Sequence, residues 1–527
     1  MKRKIIVLVL CIAFFKGYTQ EYCPIIPLPE KVEKNKENFA LNRNTVIVFE
    51  DEQIKRIGDY LQSELLRSAQ ITLSVSNKKA ANEIVLLYNK TVPNVIGAYK
   101  LTITKNKVTI SGRDNEGLFN GVISFLQLVS STKKVNNTVS IPGWQITDQP
   151  QYNWRGLMLD ESRHFFGKKK VKQTLDWMAF YKLNRFHWHL TDQHGWRVEI
   201  KQYPKLATVG GIGNYSNENA PASYYTQEDI KEIVSYAAER FIQIIPEIDM
   251  PGHASAANRA YPEFSGGGSK QFPEFTFNPG KESTYQYLTN ILRETDVLFP
   301  WQMIHIGGDE VHYGNEKWNT DGDIKRLMEK EKLSDLKAVE NYFFKRMADS
   351  LLVIGNKVLA WDEVAESNLP KNETIVFWWR HNKPEQLQKS LDKGFSVVLS
   401  PRSPMYFDYK QDSLQVHGPD WKKFSLNSTE NVYHFNPEKI PVVFPKNNLV
   451  LGIQANVWTE RIVTEQRLDY MMYPRIAALA EAAWTKNSNR NYQQFMLRLK
   501  DQFPLYKKSG LYYFDLTKPD LTGEPKE

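Results

Sequence analysis

The chain has two cysteines in 527 residues. That excludes a disulfide framework or a Cys-based zinc site as the carrier of function. Gly-rich phosphate loops are also missing, since neither G-x-G-x-x-G nor G-x-x-x-x-G-K-[ST] occurs. The formal net charge is +8, but Lys2, Arg3, Lys4 and Lys16 contribute half of it and the first twenty residues hold no acid. No Lys/Arg run in the body suggests a groove that tracks phosphates, which excludes nucleic acid as the expected partner. The one long apolar run, residues 5–15, falls short of the roughly 20 residues a membrane helix needs. Nothing downstream resembles a membrane span.

What is present is an ordinary globular composition, 41% hydrophobic and 24% charged. Aromatics reach 13%, with 13 Trp and 26 Tyr. Most such rings build cores, but an excess of indoles also suits a cleft that stacks on the C–H faces of sugars. Met1-Lys-Arg-Lys before the apolar run, with small residues at Gly17 and Thr19, reads as an export signal over residues 1–20. It predicts an exported protein: periplasmic, secreted, or anchored at the cell surface by its N-terminus.

Residues 21–148 read as a small α+β domain. Short β-branched runs occupy 45–50 and 83–88, an alternating hairpin 98–112, and an amphipathic helix 115–131. Pro142-Gly143 and Gln149-Pro150 punctuate its end. From 149 to 490 strands and helices alternate. Eight strand candidates cover 155–160, 185–192, 241–249, 303–309, 357–362, 374–379, 395–400 and 449–458. Among the helices, 226–240 is clearest, with Thr226 and Asp229 as an N-terminal cap pair. Eight β–α units of this size predict an α/β fold, a (β/α)8 TIM barrel, rather than a doubly wound sheet. Residues 491–527 are expected to pack on the barrel as a C-terminal extension.

Polar residues gather at the ends of these strands: Asp160-Glu161, Thr191-Asp192, Asp249 to His253, Asp309-Glu310, Asp362-Glu363, Asp408 and Glu460. In barrel enzymes that end forms the active-site mouth. His305-Ile-Gly-Gly-Asp309-Glu310 sets two adjacent carboxylates after two glycines. Their mutual repulsion favours a proton on one of them, as a general acid requires. The ordinary glycosidase pair instead sits roughly 5–9 Å apart across the sugar. His187-Trp-His189 alternates along a strand and leaves open a metal site or hydrogen-bonded barrel histidines. Trp378-Trp379-Arg380, Tyr406-Phe-Asp408 and Trp458-Thr-Glu460 combine rings with acids, a pattern suited to sugars.

In order along the chain stand Arg155-Gly-Leu-Met-Leu-Asp160, His187-Trp-His-Leu-Thr-Asp192, Gly195-Trp-Arg197, the segment 246–253, the segment 305–310 and Ala455-Asn-Val-Trp458-Thr-Glu460. Together they resemble the β-N-acetylhexosaminidases of glycoside hydrolase family 20 over residues 150–485. The resemblance implies exo-acting hydrolysis of terminal β-linked GlcNAc or GalNAc with retention. The substrate's own acetamido oxygen acts as nucleophile and forms an oxazolinium-type intermediate. Glu310 is then the general acid, Asp309 orients the acetamido N–H, and Tyr406 holds the acetamido oxygen. Arg155, Asp408 and Glu460 are expected on the sugar hydroxyls, and Trp361, Trp379 and Trp458 as pocket walls. Asp192, Asp249 and His253 are expected in support. No metal or cofactor is implied, and the partners are N-acetylhexosamine-terminated glycans. The alternatives are a metal-dependent barrel hydrolase and a non-catalytic glycan-binding protein. The chain departs from the family's Thr-Asp-Asp-Gln in having Thr191-Asp-Gln-His194.

Overall fold

The computed structural model describes residues 22–418, 426–445 and 449–526, so the expected export signal at 1–20 lies outside the described residues. In the N-terminal domain, strands Lys31–Leu41, Val46–Phe49, Ser74–Ser76, Glu83–Tyr88, Tyr99–Ile103, Lys107–Gly112 and Thr138–Asp148 form a mixed sheet. The expected hairpin is there: Tyr99 to Ile103 pairs antiparallel with Gly112 to Val108. Helices Lys55–Ala69 and Asn115–Ser130 lie against this sheet through Leu61, Leu65, Leu118, Val122 and Phe125, all buried.

Eight parallel strands close into a barrel: Trp154–Asp160, Arg185–His189, Gln243–Glu247, Met303–His305, Lys357–Trp361, Thr374–Trp378, Ser396–Leu399 and Val450–Val457. The first pairs with the second (Gly156 opposite Arg185) and with the last (Arg155 opposite Ile453), which closes the ring. Each strand falls on a segment the sequence pattern marks, the first starting one residue ahead of it, but most end earlier. The fourth is cut most, because Gly307 and Gly308 take φ of +64° and +96° and turn the chain out of the sheet. Asp309 and Glu310 therefore sit on a loop at the mouth. Helix Gln227–Ala238 starts at a complete capping box between Thr226 and Asp229.

Apolar side chains divide into two cores. The larger runs through the N-terminal domain and the space between barrel and helices. A smaller one fills the barrel with Trp154, Met158, Leu359, Phe377 and Val398 and continues upward into Trp361, Trp379, Tyr406 and Trp458. Helix Tyr492–Lys508 joins the two domains. Its Arg498 pairs with the barrel's Glu481 at 2.6 Å and donates to the carbonyl of Ile25 at 3.0 Å. None of the helices among the described residues is long and apolar enough to cross a membrane.

Candidate active site

A cavity of about 900 Å³ opens at the C-terminal end of the strands. Of the residues expected at the site, His253, Asp309, Glu310, Trp361, Trp379, Tyr406, Asp408, Trp458 and Glu460 border it. Asp192 is buried and bonded to His253, which borders the cavity, and Asp249 is buried behind Asp309. Arg155 is elsewhere. As the second residue of the first strand, it stands roughly 17 Å below that strand's far end at about 3.3 Å per residue. Its guanidinium donates to Glu116 at 2.8 Å and to the carbonyls of Lys182 and Tyr152, and it stacks on Trp484. It ties the barrel to the N-terminal domain and does not border this cavity.

Arg163 occupies the pocket instead. It follows the first strand by three residues and lies over the Trp458 ring, 2.8 Å from Asp192, 3.3 Å from Asp160 and 3.7 Å from Glu460. Burial opposes its charge, but Asp192, Glu460 and Asp160 outweigh burial and hold the guanidinium firmly protonated. The sequence carried a signal for it, a basic residue two positions after the strand-end pair Asp160-Glu161.

Below the mouth lies a chain of alternating charge. Glu247, fully buried, faces His187 Nε2 at 2.9 Å, His189 Nδ1 at 2.6 Å and His305 Nδ1 at 3.1 Å, and accepts from Trp361 Nε1 at 2.8 Å. These three imidazoles, His189 first, more than offset burial and keep its carboxylate ionised. His189 lies between Glu247 and Asp192, and both acids hold its pKa well up despite burial. Its neighbour His187 is pushed down to about 4, chiefly by burial, and is neutral. Asp192 then meets His253 Nδ1 at 3.0 Å, and His253 Nε2 points at Asp309 (3.6 Å) and Glu310 (3.9 Å). Burial works against the charge on His253, yet Asp192 and Asp309 raise it to about 9. Glu247, the hub of this chain, was not among the expected site residues. An acid inside a strand reads locally as a barrel-interior polar group with no stated partner.

Among the described residues, three groups offer donor atoms within 4.8 Å of one another: His187, Glu247 and His305; His189, Asp192 and Asp249; Asp249, His253 and Asp309. The first two are bound up in the hydrogen bonds just described, and His187 Nδ1 also meets Gln454 at 3.0 Å. The third gathers two acids around His253. Asp249 accepts from the Gly308 N–H at 3.2 Å. Burial, with Glu247 and Asp192 nearby, drives the Asp249 carboxyl well above its usual range. Burial and Asp249 push Asp309 up too, against the pull of His253. Burial, followed by Glu363, raises Glu310, while His253 pulls it down. Two of the residues here, His253 (φ +55°) and Glu310 (φ +53°), hold left-handed backbone, a strain that clusters at functional sites.

Aromatic rings form the floor and walls. Trp361 and Trp458 have centroids 5.9 Å apart, and Tyr406 lies 6.2 Å from Trp458. Trp379 is nearly parallel to Tyr406 at 16°. Its indole N–H donates to Glu363 at 3.1 Å, and Glu363 is held by Arg380 at 3.3 Å. Burial and the nearby Glu460 raise the Asp408 carboxyl, whose Oδ1 has no hydrogen-bond partner among the described residues. His194 also borders the cavity. Burial lowers it to about 4, so the residue that departs from the expected motif stands there as a neutral ring.

Comparisons with known proteins agree with this geometry. Residues 152–487 match the sequence model for the catalytic domain of glycosyl hydrolase family 20, and residues 22–149 match that for domain 2 of the same family. A beta-hexosaminidase of Porphyromonas gingivalis is 32% identical over 503 residues, covering 93% of this chain and 64% of that protein. The chain thus spans a little under two thirds of that relative. A beta-hexosaminidase of Vibrio furnissii is 31% identical over 475 residues, covering 86% of this chain and 76% of its own length. Among solved structures, the family 20 exo β-N-acetylglucosaminidase of Vibrio harveyi, in complex with N-acetylglucosamine, superposes with a TM-score of 0.85 at 32% identity. That match covers 93% of this chain and 78% of the other.

Proposed function

Because the chain belongs to glycosyl hydrolase family 20 and is a glycoside hydrolase, we propose that it is an exo-acting β-N-acetylhexosaminidase. It removes terminal β-linked GlcNAc or GalNAc from glycans, with retention, through an oxazolinium-type intermediate. The observation that carries the reading is the pair Asp309-Glu310 at the mouth of an aromatic pocket that also holds Tyr406. Adjacent acids cannot flank a sugar from opposite sides, but they can address different atoms of one substrate. The substrate-assisted route asks for that arrangement.

In this reading Glu310, raised by burial, carries the proton the leaving oxygen needs and later activates water. Asp309 orients the acetamido N–H. The positive charge that grows on the intermediate joins His253 in drawing it toward the carboxylate form. Tyr406 hydrogen-bonds the acetamido oxygen and holds it in line. Arg163, Asp408 and Glu460 serve the sugar hydroxyls, and Trp361, Trp379 and Trp458 enclose the ring and the acetamide methyl. A floor closed by buried indoles supports attack at chain ends. The basic and apolar N-terminal pattern supports export.

The test is hydrolysis of aryl β-GlcNAc beside aryl β-glucoside by the full chain, with the product anomer followed by NMR. The expected result is turnover of the acetamido sugar alone, with the β-anomer released first. Equal turnover of the glucoside, or first release of the α-anomer, would overturn the mechanism. Glu310→Gln should lose far more activity on alkyl than on activated aryl glycosides, because only poor leaving groups need protonation.

A further inference from the structure

A second cavity, of about 400 Å³, opens at the opposite end of the barrel, where the strands begin. Seven of the eight strands give it their first or second residue, from Trp154 on the first to Leu451 on the last. Its inner wall is the lower end of the small core: Trp154 and Ile375 are buried, and Met303 and Leu451 pack against that core. Trp301, just before the fourth strand, adds a second indole. The two cavities are separate. Along strand Lys357–Trp361 the first residue borders this one and the last borders the cleft at the mouth, about 13 Å away at 3.3 Å per residue.

Charge in this cavity is unbalanced at one point. Arg185 lies over the Trp154 ring at 5.3 Å and donates from Nη1 to the carbonyl of Asn184 at 3.0 Å. Its Nε is buried and has no acceptor among the described residues. Glu116 favours its charge but is already held by Arg155 at 2.8 Å. Burial prevails and lowers the guanidinium to about 10, which still leaves it charged at neutral pH. A buried cation without a counter-ion is costly, and residues at this end of a barrel ordinarily serve stability. At the rim, exposed Lys357 and Glu373 offset each other and leave Arg185 uncompensated. We propose that this cavity binds a small carboxylate with a flat apolar body, the carboxylate on Arg185 and the body against Trp154, Ile375 and Leu451. The planar fork of a guanidinium matches a carboxylate. A mostly apolar hollow of this size with few polar groups suits a small organic ligand. A bare inorganic anion would leave the apolar wall uncovered.

Calorimetric titration of the full chain with 2-naphthoate, its uncharged amide and inorganic phosphate tests the site. Saturable binding of 2-naphthoate is expected, roughly tenfold tighter than either of the others, the scale of one hydrogen bond to a charged group. Arg185→Gln should weaken it by the same factor. Lys357→Gln, at an exposed position, should weaken it about threefold, as a rim charge does. Trp458→Ala, in the cleft at the mouth, should leave the affinity unchanged. Absence of saturable binding, equal affinity for the amide, or full affinity in Arg185→Gln overturns the site. Phosphate bound as tightly as 2-naphthoate overturns the assignment to an apolar carboxylate, and loss of binding in Trp458→Ala moves the ligand to the mouth and overturns the proposal.

Discussion

Two arginines eight residues apart show how far position along a strand decides a role. Arg155 is buried at a domain boundary, whereas Arg163 stands in the pocket among Asp160, Asp192 and Glu460. Arg163→Lys keeps the charge but loses the fork that meets several acids at once. We expect KM for aryl β-GlcNAc to rise roughly tenfold, as measured by steady-state kinetics; an unchanged KM would remove Arg163 from the sugar. His253 makes a second residue-scale prediction. Its folded pKa of about 9 lies above the ordinary histidine value near 6.5, so its contribution is complete below about pH 6.5 and is lost as the pH rises through about 9. That contribution is about 3 kcal/mol. His253→Gln should flatten this part of the curve of melting temperature against pH, while wild-type protein loses stability between pH 6.5 and 9.

At the scale of elements, the loop after the fourth strand holds the acids to which we assign the chemistry. A Cβ on Gly307 would stand 1.8 Å from Asp249 Oδ1, at a φ of +64° that side chains rarely adopt. Gly307→Ala must therefore displace Asp249 and loosen its bond from the Gly308 N–H. Asp309 and Glu310 follow within three residues. A shift of the order of 1 Å there should lower kcat roughly a hundredfold. A variant with normal kcat would show that this loop tolerates movement. The expected strand over 303–309 overran its observed end because the glycines' positive φ is invisible to periodicity, whereas the capping box of helix Gln227–Ala238 is local and was readable.

For the whole molecule, the N-terminal domain and the C-terminal helix brace the barrel through Arg155 with Glu116 and Arg498 with Glu481. Arg155→Ala takes a donor from two carbonyls and leaves Glu116 with only the Asn184 amide at that boundary among the described residues. Each hydrogen bond lost from a charged group costs about 1.5–3 kcal/mol. The expected outcome is a clear fall in melting temperature with KM for aryl β-GlcNAc unchanged. A rise in KM at constant melting temperature would return Arg155 to the sugar site.

The order of strands and helices, the two-domain division and the acids at the strand ends were all legible in the sequence, because alternation, helical periodicity and turn residues act over a few neighbours. Asp309 and Glu310 could be singled out for the same reason: adjacency is a local fact. Tertiary structure decided which side chains share a space. Barrel closure brought Glu247 to three histidines from two other strands, put Arg163 rather than Arg155 in the pocket, and set Phe272 against Tyr313 across forty-one residues of chain. Those pairings depend on strand register and loop path, which are settled only when the whole ring of hydrogen bonds closes.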